Sequence, residues 1–416
     1  MSRFVIALLF FLSIGFLTVK VIEPIKDRNI LTDSQEKTWT EWALTDFNRQ
    51  KNSPAKIVII GSSLVLTPVN LADAHFHNRT INGALHHKSD LLSSLMSKQS
   101  NNEAENFSFA LPGLMPSDAY LITKLLLTGK DHPKLLIYGV GPRDFVDNLL
   151  ASPASTDPYR CLSKYFSAED KDGAIYLYKG KDWQSHLDYF LAQHFPIYGQ
   201  RNEILAFCTK QGQRLYKQAG PLIDGRDEPS TSANEAILAN IHNLLPSYNP
   251  MTIAVNQALF QPKVQLDPDR LTKNLDEYRV RYGKINWDTF TCQSSFFVDV
   301  LKTAEDNNIK VLVVAMPITS VNRDLLPEYI SALYKDNLQV LSKSFGAHFL
   351  DLDDVNCFND QDFGDTVHLS TTGSIKMIKL IADYIAEHEL YKTNTTDQNK
   401  VNTTDRRHLA ETGIKL

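Results

Sequence analysis

Five short apolar runs punctuate the chain: 56–60 (KIVII), 107–111 (FSFAL), 134–140 (KLLIYGV), 310–316 (KVLVVAM) and 348–352 (HFLDL). Most are near-continuous rather than alternating, the pattern of strands covered on both faces in a parallel sheet. Stretches with helical spacing follow or precede them at 117–127, 293–307, 325–345 and 374–391, and a further amphipathic helix is expected around 38–49. Strands alternating with helices predict a parallel, doubly wound α/β fold.

Residues 152–290 interrupt this rhythm. They hold aromatic-rich amphipathic stretches at 183–217 and a polar stretch at 224–234, and read as a large helical insertion between the third and fourth strands, a cap beside the site. Within them, the aromatic interval 183–198 reads as helix core or as a sugar-stacking surface. The expected organisation is a membrane anchor or signal segment at 1–23 and a linker with a helix at 24–55. The core follows in two parts, 56–151 and 291–392, split by the insertion. A polar tail at 393–416, with its repeated NTTD string, is expected to be disordered.

The amino terminus sets the compartment. Arg3 precedes an apolar run at 4–19, which Lys20 interrupts. At about 1.5 Å per residue this run covers about 24 Å, short of a hydrocarbon core of about 30 Å. Lys20 can snorkel and extend the span. A cleaved signal peptide is the alternative, but no A-x-A site follows, which favours an uncleaved anchor. Either way the bulk of the chain is exported, with Arg3 on the cytoplasmic side.

Composition changes this picture little. With 43 Lys and Arg against 48 Asp and Glu, the net charge of -5 and the lack of a basic block argue against a nucleic-acid partner. Cys161, Cys208, Cys292 and Cys357 show no zinc spacing; disulfides or free thiols fit equally. His75, His77, His86 and His87 lack a completing ligand pattern and read as surface or loop histidines, so no metal and no cofactor is expected.

Chemistry concentrates at two places. After the first strand comes GSSL, Gly61 to Leu64, a serine pair on a turn at the sheet's carboxyl edge. Gly61 is expected to permit that turn, and the plain alternative is that Ser62 and Ser63 cap the next helix. Val65 stands where the second glycine of a G-x-S-x-G elbow belongs. After the last strand comes FGDTVHLSTTG, with Asp365 and His368 three apart and Gly373 beyond. A carboxylate so placed can orient the imidazole toward a serine. The alternative there is a loop aspartate and a helix-capping histidine.

In order and placement these blocks resemble the SGNH (GDSL-like) hydrolase superfamily. GSSL is similar to its first block, with Ser62 in place of the usual aspartate. FSFALPG resembles the second, through Gly113, and YGVGPRDF the third, through Gly141, Pro142, Arg143 and Asp144. DTVHLSTTG resembles the fifth, and the resemblance spans about 56–145 and 309–391. It implies a three-layer α/β/α fold with a flavodoxin-like parallel sheet. It further implies Ser63 as nucleophile, Asp365 and His368 completing a triad, and an oxyanion hole from Ser63, Gly113 and Arg143. Arg143 departs from the block's usual asparagine. It could donate to the oxyanion, contact an anionic substrate, or pair with Asp144. Together with MPIT at 316–319, the pattern looks like a branch of exported, membrane-anchored members, distantly similar to envelope polysaccharide O-acyltransferases.

The resulting expectation is a serine-dependent acyl-ester hydrolase or O-acyltransferase acting on cell-envelope glycan esters. Its partners would be an acylated glycan or other ester, the membrane through the N-terminal segment, and a membrane-bound acyltransferase. The competing expectation is a catalytically silent scaffold or glycan-binding protein, motivated by Arg143. Arg279 and Arg281 are weighed as residues reaching the cleft from the insertion.

Overall fold

In the computed structural model, residues 36–50, 55–100, 104–149, 156–162, 252–254, 258–354 and 356–391 are described. The expected anchor, most of the insertion with its aromatic and polar stretches, Cys208 and the tail lie outside them. The described residues all belong to one compact unit.

The five apolar runs form the sheet. Its strands are β1 (Ile57–Gly61), β2 (Asn106–Ala110), β3 (Leu135–Val140), β4 (Lys310–Ala315) and β5 (His348–Asp351). Every pairing is parallel and the spatial order is β2-β1-β3-β4-β5. The first three strands are buried at every position; β1 and β3 are apolar throughout, whereas β2 also buries Asn106 and Ser108.

Helices cover both faces. In chain order they are α1 (Trp39–Arg49), α2 (Ser63–Phe76), α3 (Asp90–Ser100), α4 (Pro116–Leu126) and α5 (Arg143–Val146). These are followed by α6 (Asp157–Leu162), α7 (Leu275–Tyr282), α8 (Trp287–Asp306), α9 (Ser320–Arg323), α10 (Glu328–Ser344) and α11 (Thr371–Glu387). Ile59, Ile137 and Val314 meet Val65 and Val69 of α2 and Met377 and Ile381 of α11 on one face. Tyr138, on the other, packs against Phe297 of α8 with ring centroids 5.8 Å apart. Emptying such a site, as in Phe297→Ala, costs about 3–5 kcal/mol.

The α/β class predicted from the pattern is what the structure shows. Two features differ from expectation. α8 begins at Trp287, so the helix predicted from 293 starts nearly two turns earlier, where the Asn286 side chain accepts the Asp288 and Thr289 amides. Two antiparallel ribbons also appear, joining Glu36–Thr38 to Thr252–Ala254 and Ile81–Asn82 to Leu259–Phe260. With two or three residues each, they are too short for a periodicity to register.

Gly61 has a role other than the one expected. It keeps an extended backbone at the end of β1, where a Cβ would lie 2.3 Å from Val65 Cγ2 and 2.8 Å from the Gly139 carbonyl oxygen. Close approach of α2 to the sheet, rather than a turn conformation, demands the glycine. Val65 fills the space that Gly61 and Gly139 leave.

Candidate active site

Because all five strands run in parallel, their carboxyl ends share one edge, where open α/β sheets bind ligands. Ser63 follows β1, Gly113 follows β2, Arg143 follows β3, and the loop bearing Asp365 and His368 lies between β5 and α11.

Ser63 is the first residue of α2. The adjoining Ser62 occupies the cap position but makes no capping bond, and its hydroxyl turns to Asp144 Oδ2 at 3.4 Å. The capping alternative is therefore not what these serines do. Ser63 Oγ instead lies 2.9 Å from His368 Nε2, and His368 Nδ1 lies 2.7 Å from Asp365 Oδ2. An ionised carboxylate can only accept, so Nδ1 holds the proton and Nε2 accepts from the Ser63 hydroxyl. The other Asp365 oxygen accepts the amides of Val367 (2.8 Å) and His368 (2.7 Å). Burial tends to raise the Asp365 pKa, but the bonds and charge of His368 outweigh it and hold the group below its ordinary value.

The loop that presents this pair is closed and tied down. Phe363 bridges Leu369, and the Gly364 amide donates to the His368 carbonyl at 2.8 Å. Thr319, from the MPIT string, donates its hydroxyl to the Thr366 carbonyl at 2.7 Å. The Thr366 hydroxyl donates to Asn274 Oδ1 at 3.0 Å and faces Asn322 Nδ2 at 3.4 Å. Arg270 reaches in from the far chain segment, its Nε and Nη2 donating to the carbonyls of Phe363 (2.9 Å) and Asp360 (2.8 Å). The cap of α11 is Ser370, not His368. Gly373 is required there, since a Cβ would meet the Asp362 carbonyl oxygen at 2.1 Å.

Gly113 and Arg143 lie at the same sheet edge, after the strands that flank β1. Gly113 has φ +75°, a left-handed conformation that side chains disfavour. Among the described residues neither the Ser63 nor the Gly113 amide has a hydrogen-bond acceptor. Helix starts leave such donors free for an anion. The Arg143 guanidinium stands over Gly113, with Nη2 3.5 Å from where a Cβ would be. Its main partner is Asp147, at 2.8 Å, whereas Asp144 is 3.8 Å away. Burial works against its charge, but the two aspartates more than compensate and raise its pKa. Asp144 accepts the Gly141 amide at 2.9 Å, and burial pushes its own pKa up to about 6.

The structure thus brings Ser63, His368, Asp365, Gly113 and Arg143 to one edge. It also brings in residues that sequence reasoning missed. Asp147 lies four after Arg143, a spacing that could have exposed it. Arg270, Asn274, Asn322 and Tyr278 gave no local signal. Tyr278, buried on α7, feels the charges of both Arg143 and Asp365, and burial foremost raises its pKa to about 12. Of the two arginines weighed on the insertion, Arg281 joins the site through Asp147, while Arg279 pairs with Asp276 at the surface.

Of the histidines expected at the surface or in loops, His77, His86 and His87 lie in the segment between α2 and α3, but none of those three is fully exposed. His87 is buried, stacked on Phe107, and His77 and His86 are half-buried, because carboxylates await them: Asp46 at 3.3 Å, Asp90 at 2.7 Å and Asp73 at 2.7 Å respectively. Only His75 is exposed. The ligand atoms of Asp73, His86 and Asp90 lie within 4.8 Å of one another. Both Asp73 oxygens, however, already accept amides from the start of α3, at 2.6 and 2.9 Å, so the cluster serves as that helix's cap. Cys292 and Cys357 are free thiols.

Fold and site together define an α/β protein with a hydrogen-bonded Ser–His–Asp arrangement at the carboxyl edge of its sheet. No protein-family model matches the sequence, and neither does any curated protein.

Proposed function

We propose that the chain is a serine-dependent acyl-ester hydrolase or O-acyltransferase of the SGNH kind, acting on esters of a cell-envelope glycan. The observation that carries the reading is the continuous bond chain from Ser63 Oγ through His368 to Asp365, beside two unengaged amides. The β2-β1-β3-β4-β5 order, which is that of flavodoxin-like sheets, supports it as well.

In this reading His368 Nε2 takes the Ser63 proton as Oγ attacks the ester carbonyl, and Asp365 stabilises the imidazolium. The amides of Ser63 and Gly113, with Arg143, face the developing oxyanion. The imidazolium then protonates the departing alkoxide, leaving an acyl-Ser63. Water as acceptor completes hydrolysis, and a sugar hydroxyl completes transfer. The apolar run at 4–19 supports export and attachment to the membrane, with the site on the extracytoplasmic side. Among the described residues no helix is long and apolar enough to cross a membrane.

The test is labelling of the purified full chain with a fluorophosphonate, read by mass spectrometry beside Ser63→Ala and His368→Ala. Labelling at Ser63 that requires His368 is the expected result. A folded protein without labelling at Ser63 would instead favour a silent glycan-binding scaffold.

A further inference from the structure

The carboxylate behind Arg143 is shared. Asp147, whose side chain is 1% exposed, points one oxygen, Oδ2, at Arg143 Nη2 (2.8 Å) and at Arg281 Nη1 (2.5 Å). Its other oxygen accepts the Leu149 amide at 2.9 Å, and the next amide, Asn148, donates to the Arg281 carbonyl at 3.2 Å. Asp147 is therefore fixed from three directions. Arg281 has a second partner of its own in Glu277, through Nε at 3.0 Å and Nη2 at 2.5 Å. Arg143 has no second partner at bonding distance, since Asp144 stands 3.8 Å from its Nη1.

This is a poor design for stability alone. A buried ion pair recovers its desolvation cost only when most of its donors are satisfied. Here one carboxylate oxygen serves two guanidinium groups, and the Nε and Nη1 donors of Arg143 find no acceptor among the described residues. The guanidinium is 17% exposed and stands over Gly113, where its donors lie beside the site's unengaged amides. An arginine loose at this place would lose side-chain freedom on meeting an oxyanion. One already pinned would not, and preorganised donors are what stabilise developing charge.

We propose that Asp147 and Arg281 are positioning residues for the oxyanion corner: Asp147 holds the Arg143 guanidinium against Gly113, and Arg281 holds Asp147. The inference rests on the reading of Ser63 as nucleophile. It makes α7, through Arg281, part of the machinery that receives the oxyanion, although no residue of α7 need touch substrate.

The experiment uses the full chain, 4-nitrophenyl acetate as probe ester, and a double-substitution cycle. Asp147→Asn keeps the shape and removes the charge. Its kcat is expected to fall about 10²-fold with KM changed less than about threefold, the mark of an interaction made in the transition state. Arg281→Gln is expected to lose roughly tenfold in kcat, since it acts one step further from the oxyanion. Both losses should vanish in an Arg143→Ala background, because the residue being positioned is gone. A purely structural role would instead give losses that add to that of Arg143→Ala; additive losses, or a wild-type kcat in Asp147→Asn, overturn the proposal. If circular dichroism shows Asp147→Asn unfolded, Arg281→Gln with and without Arg143→Ala decides the same question. Fluorophosphonate labelling separates the two levels. A wild-type chain without labelling at Ser63 removes the nucleophile and this inference with it, whereas labelled Ser63 with an unchanged Asp147→Asn kcat removes this inference alone.

Discussion

The two sides of Ser63 are built in different ways. On one side, Asp365 and His368 sit in a single loop, three residues apart and bonded to each other. That loop is moored by Thr366, which bonds Thr319 and Asn274, and by the Phe363 and Asp360 carbonyls, which accept from Arg270. On the other, Gly113, Arg143, Asp147 and Arg281 come from three distant parts of the chain and are held by buried charges. The first side is fixed by covalent nearness and resists small disturbances. The second exists only when the whole sheet edge is assembled, and each charge in it is held in place by another.

That contrast can be broken from either side. The largest effect after loss of Ser63 itself is expected from Asp365→Asn. It preserves shape but lets the side chain donate where it must accept, which favours the wrong His368 tautomer. A drop in kcat of about 10⁴-fold on an ester probe is expected, with the fold unchanged by circular dichroism. Gly113→Ala attacks the other side. The φ of +75° and the guanidinium 3.5 Å from the new Cβ would shift both the Gly113 amide and Arg143. Loss of an oxyanion donor of this kind costs about 10²–10³-fold in kcat, and the strained backbone about 1–2 kcal/mol of stability by urea unfolding. Wild-type kcat in Gly113→Ala would place the oxyanion elsewhere.

A smaller effect tests how the loop is moored. Thr366→Val removes the hydroxyl that meets Asn274 and Asn322 and leaves those side chains short of a partner. About 1–3 kcal/mol of stability should be lost by chemical unfolding, and kcat should fall roughly tenfold through displacement of His368. A stability loss with kcat unchanged would show the loop to be held by its own turn.

The same contrast explains what could be read from the chain before folding. The strands were legible because burial on both faces demands a mostly apolar run, as in β1, β3 and β4, and each observed strand lies within about a residue of its run. Asp365 and His368 were legible because their spacing is local. Arg143 was visible only as a departure from a block, with pairing to Asp144 one of three alternatives. Asp144 is its sequence neighbour, but adjacent residues on a helix do not face one another, and the partner one turn on, Asp147, takes the contact. Arg270 and Asn274 left no mark, because their contacts to the 360–368 loop cross some ninety positions of sequence. The serine cap alternative failed for a tertiary reason: Asp144 and His368 outcompete the helix amides for the two hydroxyls.

The last perturbation concerns a charge on the turn that follows Gly113. Asp118 is fully buried at the start of α4, accepting the Met115 amide at 3.0 Å and the Thr156 hydroxyl at 2.5 Å, on the turn that follows Gly113. Burial pushes its pKa up to about 7, against the pull of those bonds and of Arg143. Between about pH 4 and 7 the folded chain therefore keeps a proton that the unfolded chain has released, so unfolding releases a proton and stability falls as pH rises. The slope from this one group is at most about 1.4 kcal/mol per pH unit. Asp118→Asn keeps the shape and removes the titration. Urea unfolding at pH 4.5, 5.5, 6.5 and 7.5 should show the variant gaining on the wild type across that window and running parallel above it. Parallel curves throughout would mean that Asp118 is ionised at every pH tested, and that the Arg143 corner carries one more compensating negative charge. In that event the guanidinium would be less free to meet an oxyanion, and the two sides of Ser63 would differ less in electrostatics than in the distance along the chain from which they are drawn.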